Sequence, residues 1–368
     1  MKLRQLIVLA VAAPFALGVA ACGSSNSSSS SSSSTPSSSS SGGGTVNGAG
    51  STFEAPVLEQ WGSDLKGQGV TVNYQAVGSG AGVTQLTQGA VDFAGSDPPL
   101  KDEEVTAAKQ KGDPVHVPTV FGGITVSYNL PGVAAGLKLD GKTIADVFLG
   151  KVAKWNDPEI AGANPGAKLP ATNITVVHRS DSSGTTKGFT SFLSDYSSAW
   201  KSKVGADKTV KWPTGTGAKG NAGVAAAVKQ QQGAIGYVEE AFALQNNFTT
   251  ASVKNKSGKY VTPSLASTTA AGVGLKVPSD LRFTIIDSPN PGAYPIASQS
   301  FVIAYKDPCK AGVKKDAAQA LVKFLDYGLS SAGQQSAQKL QYAPLPPAVL
   351  AKAKASVKSL ECNGSPLG

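Results

Sequence analysis

Apolar residues in this chain recur in short β-rich runs that alternate with stretches of helical spacing. Strands are predicted over residues 70–74, 90–95, 121–129, 173–178, 234–238 and 300–305, each rich in Val, Ile, Tyr or Phe. Between them the spacing predicts helices. Residues 82–89 turn Val83 and Leu86 inward, and 185–193 gather Phe189, Phe192 and Leu193 on one face. Residues 317–327 repeat Leu321, Phe324 and Leu325 at i, i+3 and i+4. Further helices are expected at 101–111, 143–149, 158–161, 221–232 and 347–360, the last opened by Pro347. Strands alternating with helices predict an α/β fold with parallel or mixed sheets, and no internal repeat is visible.

The first 44 residues break this pattern. Lys2 and Arg4 precede an apolar run from Leu6 to Leu17, too short to span a bilayer, so residues 1–22 read as a secretory signal. Val19-Ala20-Ala21-Cys22 resembles the lipobox of bacterial lipoproteins, which implies lipid on Cys22; the competing reading is an ordinary signal with an incidental cysteine. Residues 23–44 are almost all Ser and Gly. Such a tract lacks the apolar surface to fold and would act as a tether reaching roughly 25 Å. With Cys22 set aside, Cys309 and Cys362 remain as an even pair in an oxidising, extracytoplasmic compartment. A disulfide pinning the C-terminal tail is expected, against the alternative of two separate buried thiols.

Net charge is +9, and it falls by two once Lys2 and Arg4 leave with the signal. The lysines are scattered and not interleaved with aromatics, which argues against nucleic acid. Two histidines, His116 and His178, are too few for a His-based zinc cluster and leave a Ser-His-Asp triad few candidates. No phosphate-loop or dinucleotide fingerprint follows a strand, so neither a metal nor a cofactor is expected.

What remains is a set of strand–loop–helix junctions rich in Gly, Ser and Thr: GAGSTFEAP at 48–56, GSGAG at 78–82 and SDSSGTT at 180–186. A helix start offers unpaired N–H groups and a partial positive charge, and small residues let an anion approach them. Each loop taken alone is better read as an N-cap. Three of them, one preceded by Arg179, point to a shared oxyanion site.

Seven separated motifs, GAGSTFEAP, VNYQAVGSGAGV, VDFAGSDPPL, LDGKTIADVFLGKVAKWNDPEI, RSDSSGTT, VKWPTGTGAKGN and GAIGYVE, closely resemble the phosphate-binding proteins of bacterial phosphate ABC transporters. They stand in that family's order, and the resemblance runs from about Asn47 to Leu345. It implies a two-lobe periplasmic-binding-protein fold of type II topology with the ligand cleft between the lobes. Lobe one would comprise 45–119 and 294–368, and lobe two 120–293. The implied phosphate contacts are Thr52, Phe53 through its N–H, Ser79, Asp97, Arg179, Asp181 orienting that arginine, Ser183, Gly184 and Thr185. The implied partners are inorganic phosphate and the permease and ATPase subunits of the transporter, met by a monomeric receptor that is not an enzyme. His178 is expected to point away from the site.

A carboxylate at Asp97 facing an anion makes sense only if the ligand carries a proton. Phosphate keeps an O–H near neutral pH, whereas sulfate and molybdate have none, so Asp97 would select by repulsion; its plainer reading is a turn aspartate before Pro98-Pro99. Two other functions remain open at this point. One is a phosphatase or esterase using a serine of SDSSGTT, and the other is a receptor for another tetrahedral oxyanion.

Overall fold

The computed structural model describes residues 43–368. The signal expected at 1–22, the lipid site expected at Cys22 and the Ser/Gly tract up to residue 42 lie outside the described residues. The elements that matter below are β1 (Gly44–Gly50), α1 (Ala55–Asp64), β2 (Val70–Ala76), α2 (Ser79–Gln88), β3 (Phe93–Ser96), α3 (Asp102–Ala108) and β4 (Pro114–Tyr128). They continue with α4 (Gly141–Phe148), β5 (Thr175–Arg179), α5 (Gly184–Tyr196), β6 (Thr216–Ala218), α6 (Gly220–Gln230) and β7 (Ala234–Glu239). The C-terminal part adds β8 (Ala297–Tyr305), α7 (Lys315–Gly328), α8 (Ser331–Lys339) and α9 (Pro347–Lys358).

Among the described residues the main sheet runs in the order β2-β1-β3-β8-β4-β7-β5-β6. The β2-β1-β3 and β7-β5-β6 pairings are parallel, and the β8 contacts with β3 and β4 are antiparallel. Strand β4 belongs to both lobes. Its N-terminal part pairs with β8 as far as Gly123, and from Ile124 onward it pairs with β7. Helices cover the faces as the apolar spacing requires: Leu321, Phe324 and Leu325 of α7 and Phe189, Phe192 and Leu193 of α5 are all buried.

Local chemistry sets where the helices begin. Pro56 occupies the first turn of α1, where its missing N–H costs nothing. Asp140 caps α4 by accepting Thr143 N–H at 2.8 Å, and Ser183 caps α5 by accepting Thr186 N–H at 3.1 Å. Helix α2 starts at Ser79, three residues before the spacing suggested, because Val83 is its first apolar position while Ser79 is buried in its first turn. Strand β1 already begins at Gly44, the last residue of the Ser/Gly tract, paired with Val70.

Cys309 and Cys362 are joined in a disulfide, with Cα atoms 4.9 Å apart. Beside it Asp307 receives the N–H groups of Lys310, Asn363 and Gly364. Covalent and polar ties thus hold the tail to the segment that follows β8. No helix among the described residues is long and apolar enough to cross a membrane.

Candidate functional site

The three Gly/Ser/Thr loops converge at one buried place between the lobes. Strand β1 delivers the first. Ser51, wholly buried, donates its hydroxyl to Asp97 Oδ1 at 2.5 Å and accepts the N–H of Phe53 at 3.0 Å. The Phe53 N–H, expected to face the ligand, is therefore engaged by Ser51 in this structure. Thr52 Oγ1 accepts both the N–H and the side-chain amide of Asn221, at 3.2 and 2.9 Å, and so touches the start of α6.

Asp97 follows β3, its side chain 1% exposed. Oδ1 accepts the hydroxyls of Ser51 and, at 2.9 Å, of Ser300 from β8. Its backbone carbonyl accepts Gln299 Nε2 at 2.7 Å, and its N–H reaches Ser79 Oγ at 3.4 Å. Oδ2 has no partner. That oxygen lies with Ser79 Oγ against the Cα of Gly184, where any larger residue would place its Cβ on top of both. Burial pushes the Asp97 carboxyl up to about 6, although the two hydroxyls and the facing Arg179 charge pull the other way.

From the second lobe, β5 ends in Arg179, whose side chain is 1% exposed. Its Nε and Nη2 donate to the two oxygens of Asp181 at 2.8 and 2.5 Å, and Nη1 donates to Thr185 Oγ1 at 3.2 Å. A guanidinium has five N–H groups, so two remain to meet a ligand. Asp181 is held further by the N–H of Gly220 at 3.0 Å. Burial raises the Asp181 carboxyl, but the guanidinium and this N–H more than offset it and bring it below the ordinary range. Ser183, Gly184 and Thr185 open α5, whose first N–H groups lack intrahelical partners by construction.

The lobes are clasped around this place. Gly80 N–H donates to the Ser182 carbonyl at 3.0 Å, Lys101 pairs with Asp207 at 2.6 Å, and Lys208 pairs with Glu104. His178 stacks on Trp212 with ring centres 4.6 Å apart and takes no part in the cluster. The other histidine, His116, is core: burial pushes it down to about 4, and its Nε2 accepts the Leu100 N–H.

Thr52, Ser79, Asp97, Arg179, Asp181, Ser183, Gly184 and Thr185 are thus neighbours in this structure, while the Phe53 N–H is held by Ser51. Three more join them. Ser51 and Ser300 hold Asp97, and Asn221 bridges Thr52, Thr185 at 3.4 Å and the Glu239 N–H at 3.0 Å. Ser51 and Asn221 sit inside the quoted motifs GAGSTFEAP and VKWPTGTGAKGN. Ser300 lies in none, and nothing in its local sequence marks it.

Two α/β lobes clasped over a buried set of dipoles with one guanidinium define a small-solute receptor of the periplasmic-binding type. A family model described as a PBP superfamily domain matches residues 35–331. The phosphate-binding protein PstS of Pasteurella multocida is 43% identical over 86% of this chain and 90% of its own, and that of Haemophilus influenzae is 41% identical over 86% and 93%. The chain belongs to this PstS family of phosphate-binding proteins. Among solved structures, a high-affinity periplasmic phosphate-binding protein bound with phosphate, PfluDING, is 25% identical with a TM-score of 0.68, covering 84% of this chain and 93% of that one. A putative phosphate ABC transporter substrate-binding protein from Clostridium perfringens shares the fold at 18% identity and TM-score 0.59, over 82% of this chain and all of that one.

Proposed function

We propose that this chain captures inorganic phosphate outside the cytoplasm with high affinity and hands it to an ABC permease. It is a receptor, as its relatives are, and not an enzyme. The hydrolase reading lacks a histidine base, since His178 is stacked on Trp212 and His116 accepts the Leu100 N–H; Ser183 Oγ accepts the Thr186 N–H, which leaves its hydroxyl hydrogen for a ligand.

One observation carries the choice of ligand. Asp97 offers a bare, buried acceptor oxygen within the same clasp as the free N–H groups of Arg179. An anion held there must accept from the arginine and donate to the aspartate, which a hydrogen phosphate does and a sulfate does not. Our assignment gives the grip to Thr52, Ser79, Asp97, Arg179, Ser183, Gly184 and Thr185, with Asp181 steering the arginine. Phe53 would join once its N–H turns from Ser51 to the ligand. Neutral dipoles at the helix starts replace the hydration shell, and Arg179 supplies the full charge.

The finer reading includes a lipid on Cys22, a monomer, and a permease and ATPase as partners. It also includes lobe limits of 45–119 with 294–368, and 120–293. In favour of those limits, β4 exchanges β8 for β7 a few residues beyond the proposed crossover.

Calorimetric titration tests the function. One phosphate per chain is expected, with sulfate unable to compete; no phosphate uptake, or mole-for-mole displacement by sulfate, would overturn it. A second expected result concerns closure. In Gly184→Ala the new Cβ meets Asp97 Oδ2 and Ser79 Oγ, so the lobes cannot shut to this separation. Phosphate affinity should fall by at least about 100-fold, roughly the effect of losing one or two charge-assisted contacts. Unchanged affinity by the same titration would show that the clasp is not the bound geometry.

A further inference from the structure

Behind Asp97 sits a second acid that the phosphate grip does not use. Glu54, the residue just before α1, is wholly buried. Its Oε2 lies 2.9 Å from Thr119 Oγ1, and its Oε1 has no partner. Thr119 Oγ1 is at the same time 3.1 Å from the Ser300 carbonyl. A threonine hydroxyl has one hydrogen. It cannot donate to the Glu54 carboxylate and to the Ser300 carbonyl together.

The strand geometry brings the Ser300 carbonyl to that hydrogen. Ser300 stands at a register shift between β8 and β4, where Val120 faces Ser300 and Pro118 faces Phe301, leaving Thr119 as the extra residue. Pro118 has no N–H for the ladder, and the Thr119 hydroxyl lies within donating distance of the Ser300 carbonyl. With the Thr119 hydrogen on the Ser300 carbonyl, the hydrogen between Thr119 and Glu54 comes from Glu54 Oε2, which is to say that Glu54 is protonated.

The surroundings agree. The groups facing Glu54 are Asp97 beyond β3, Tyr74 of β2 and Tyr342 after α8; Glu239 of β7 and Arg179 of β5 act through Asp97, and Glu59 of α1 faces Tyr74. Only Arg179 is a cation. The Tyr74 hydroxyl is committed to the Ser51 carbonyl at 2.9 Å and the Tyr342 hydroxyl to the Phe53 carbonyl at 2.6 Å, so neither solvates an ionised Glu54. Burial first and the Asp97 charge second hold the Glu54 carboxyl well above the ordinary range. The Ser300 hydroxyl lies within reach of both acids and donates to Asp97.

We infer that Glu54 is a positioning residue that keeps its proton during capture, so that the charge of the acid pair rests on Asp97 and the Ser300 hydroxyl stays with it. This rests on the phosphate reading of the cleft. When Glu54 ionises in alkali, the Thr119 and Ser300 hydroxyls turn toward it. Asp97 then loses a donor and gains a like-charged neighbour, and the bound dianion meets a second buried negative charge. Glu54 thereby sets the alkaline limit of phosphate capture.

The test compares wild type with Glu54→Gln. Phosphate affinity is titrated from about pH 6 to about pH 10, a span that covers the range in which a raised carboxyl would ionise. The wild type should lose at least about tenfold more affinity than the variant on the alkaline side, where one proton linked to binding gives tenfold per pH unit. Infrared difference spectra at neutral pH should show a protonated-carboxyl band in the wild type that is missing in Glu54→Gln. Should the glutamine variant fail to fold, Thr119→Val serves instead: removing the acceptor should move that band. Parallel pH profiles, or the absence of the band, or a band indifferent to Thr119→Val, overturn the inference while leaving the receptor intact. A wild type that binds no phosphate overturns the receptor reading first and this inference with it.

Discussion

Arg179→Met is expected to weaken phosphate binding by about 100-fold to several thousand-fold. The estimate follows from what the substitution leaves behind. Breaking a buried charge pair by removing one partner costs about 3–5 kcal/mol, because the survivor stays desolvated and unpaired. Here the survivor is Asp181, whose two oxygens accept from Nε and Nη2 of the arginine and whose side chain is only 11% exposed. Methionine therefore removes the one cation of the grip and exposes the arriving anion to an unneutralised carboxylate. Arg179→Lys should recover only part of the loss, since an ammonium cannot hold Asp181 with two parallel bonds and still present two N–H groups to the ligand. Adding Asp181→Asn to Arg179→Met should recover part of the remainder by removing the stranded charge. Calorimetric affinities of the three variants check the series. A methionine variant within tenfold of wild type would mean that the guanidinium is structural and that the dipoles alone hold the ion.

The legible parts of the fold are those where apolar spacing and packing coincide. Helices α5 and α7 were visible in their aromatic and leucine stripes because those residues face the core. Strand β1 was not visible. Its sequence GTVNGAG is poor in β-formers, yet it is paired on both sides, with β2 and β3, and the ring of Phe93 packs on the bare Cα of Gly48. The first half of β4 was missed for a related reason. Pro114, His116, Pro118 and Thr119 break the alternation, and pairing with β8 overrides local preference. Helix α8, SAGQQSAQK, carries almost no apolar signal; it is anchored by the buried Gln334, whose side chain donates to the Thr119 and Gly328 carbonyls.

The site divides in the same way. Thr52, Ser79, Asp97 and the Arg179–Thr185 run stand inside contiguous motifs, where loop chemistry and order along the chain both speak. Ser300 and Thr119 reach the site through the register of two strands, which no local pattern encodes. Glu54 stands in GAGSTFEAP with no local sign of a role, because its meaning depends on a hydroxyl whose hydrogen is also wanted by a carbonyl from β8. Long-range polar chains of this kind are the part of a binding site that sequence reading loses first.

Asp97→Asn should change what the cleft accepts more than how tightly it shuts. In the wild type Oδ1 is filled by the hydroxyls of Ser51 and Ser300, and Oδ2 waits for a ligand proton. An asparagine keeps the oxygen toward the two hydroxyls and turns its amide N–H₂ into the cleft. Phosphate loses a charge-assisted acceptor, about 1.5–3 kcal/mol or about 10–100-fold in affinity. Sulfate, which could only be repelled before, gains a donor. The phosphate-to-sulfate ratio should therefore collapse by more than the phosphate affinity falls.

The same group predicts a pH dependence of selectivity. The Asp97 carboxyl of the free protein lies at about 6, raised above its ordinary value by burial. Below that pH it is protonated and becomes a donor, so the wild type should begin to admit sulfate as pH falls through about 6, while Asp97→Asn stays indifferent. Stability supplies an independent reading of opposite sign. With the folded value raised, the unfolded chain releases this proton first, so the ligand-free wild type loses stability as pH rises from about 4 to about 6. Asp97→Asn should lack that decline and melt higher than wild type above pH 6. Competition titrations at two pH values together with melting curves decide the matter: an unchanged ion ratio in the asparagine variant would show that the unpartnered oxygen of Asp97 does not meet the ligand.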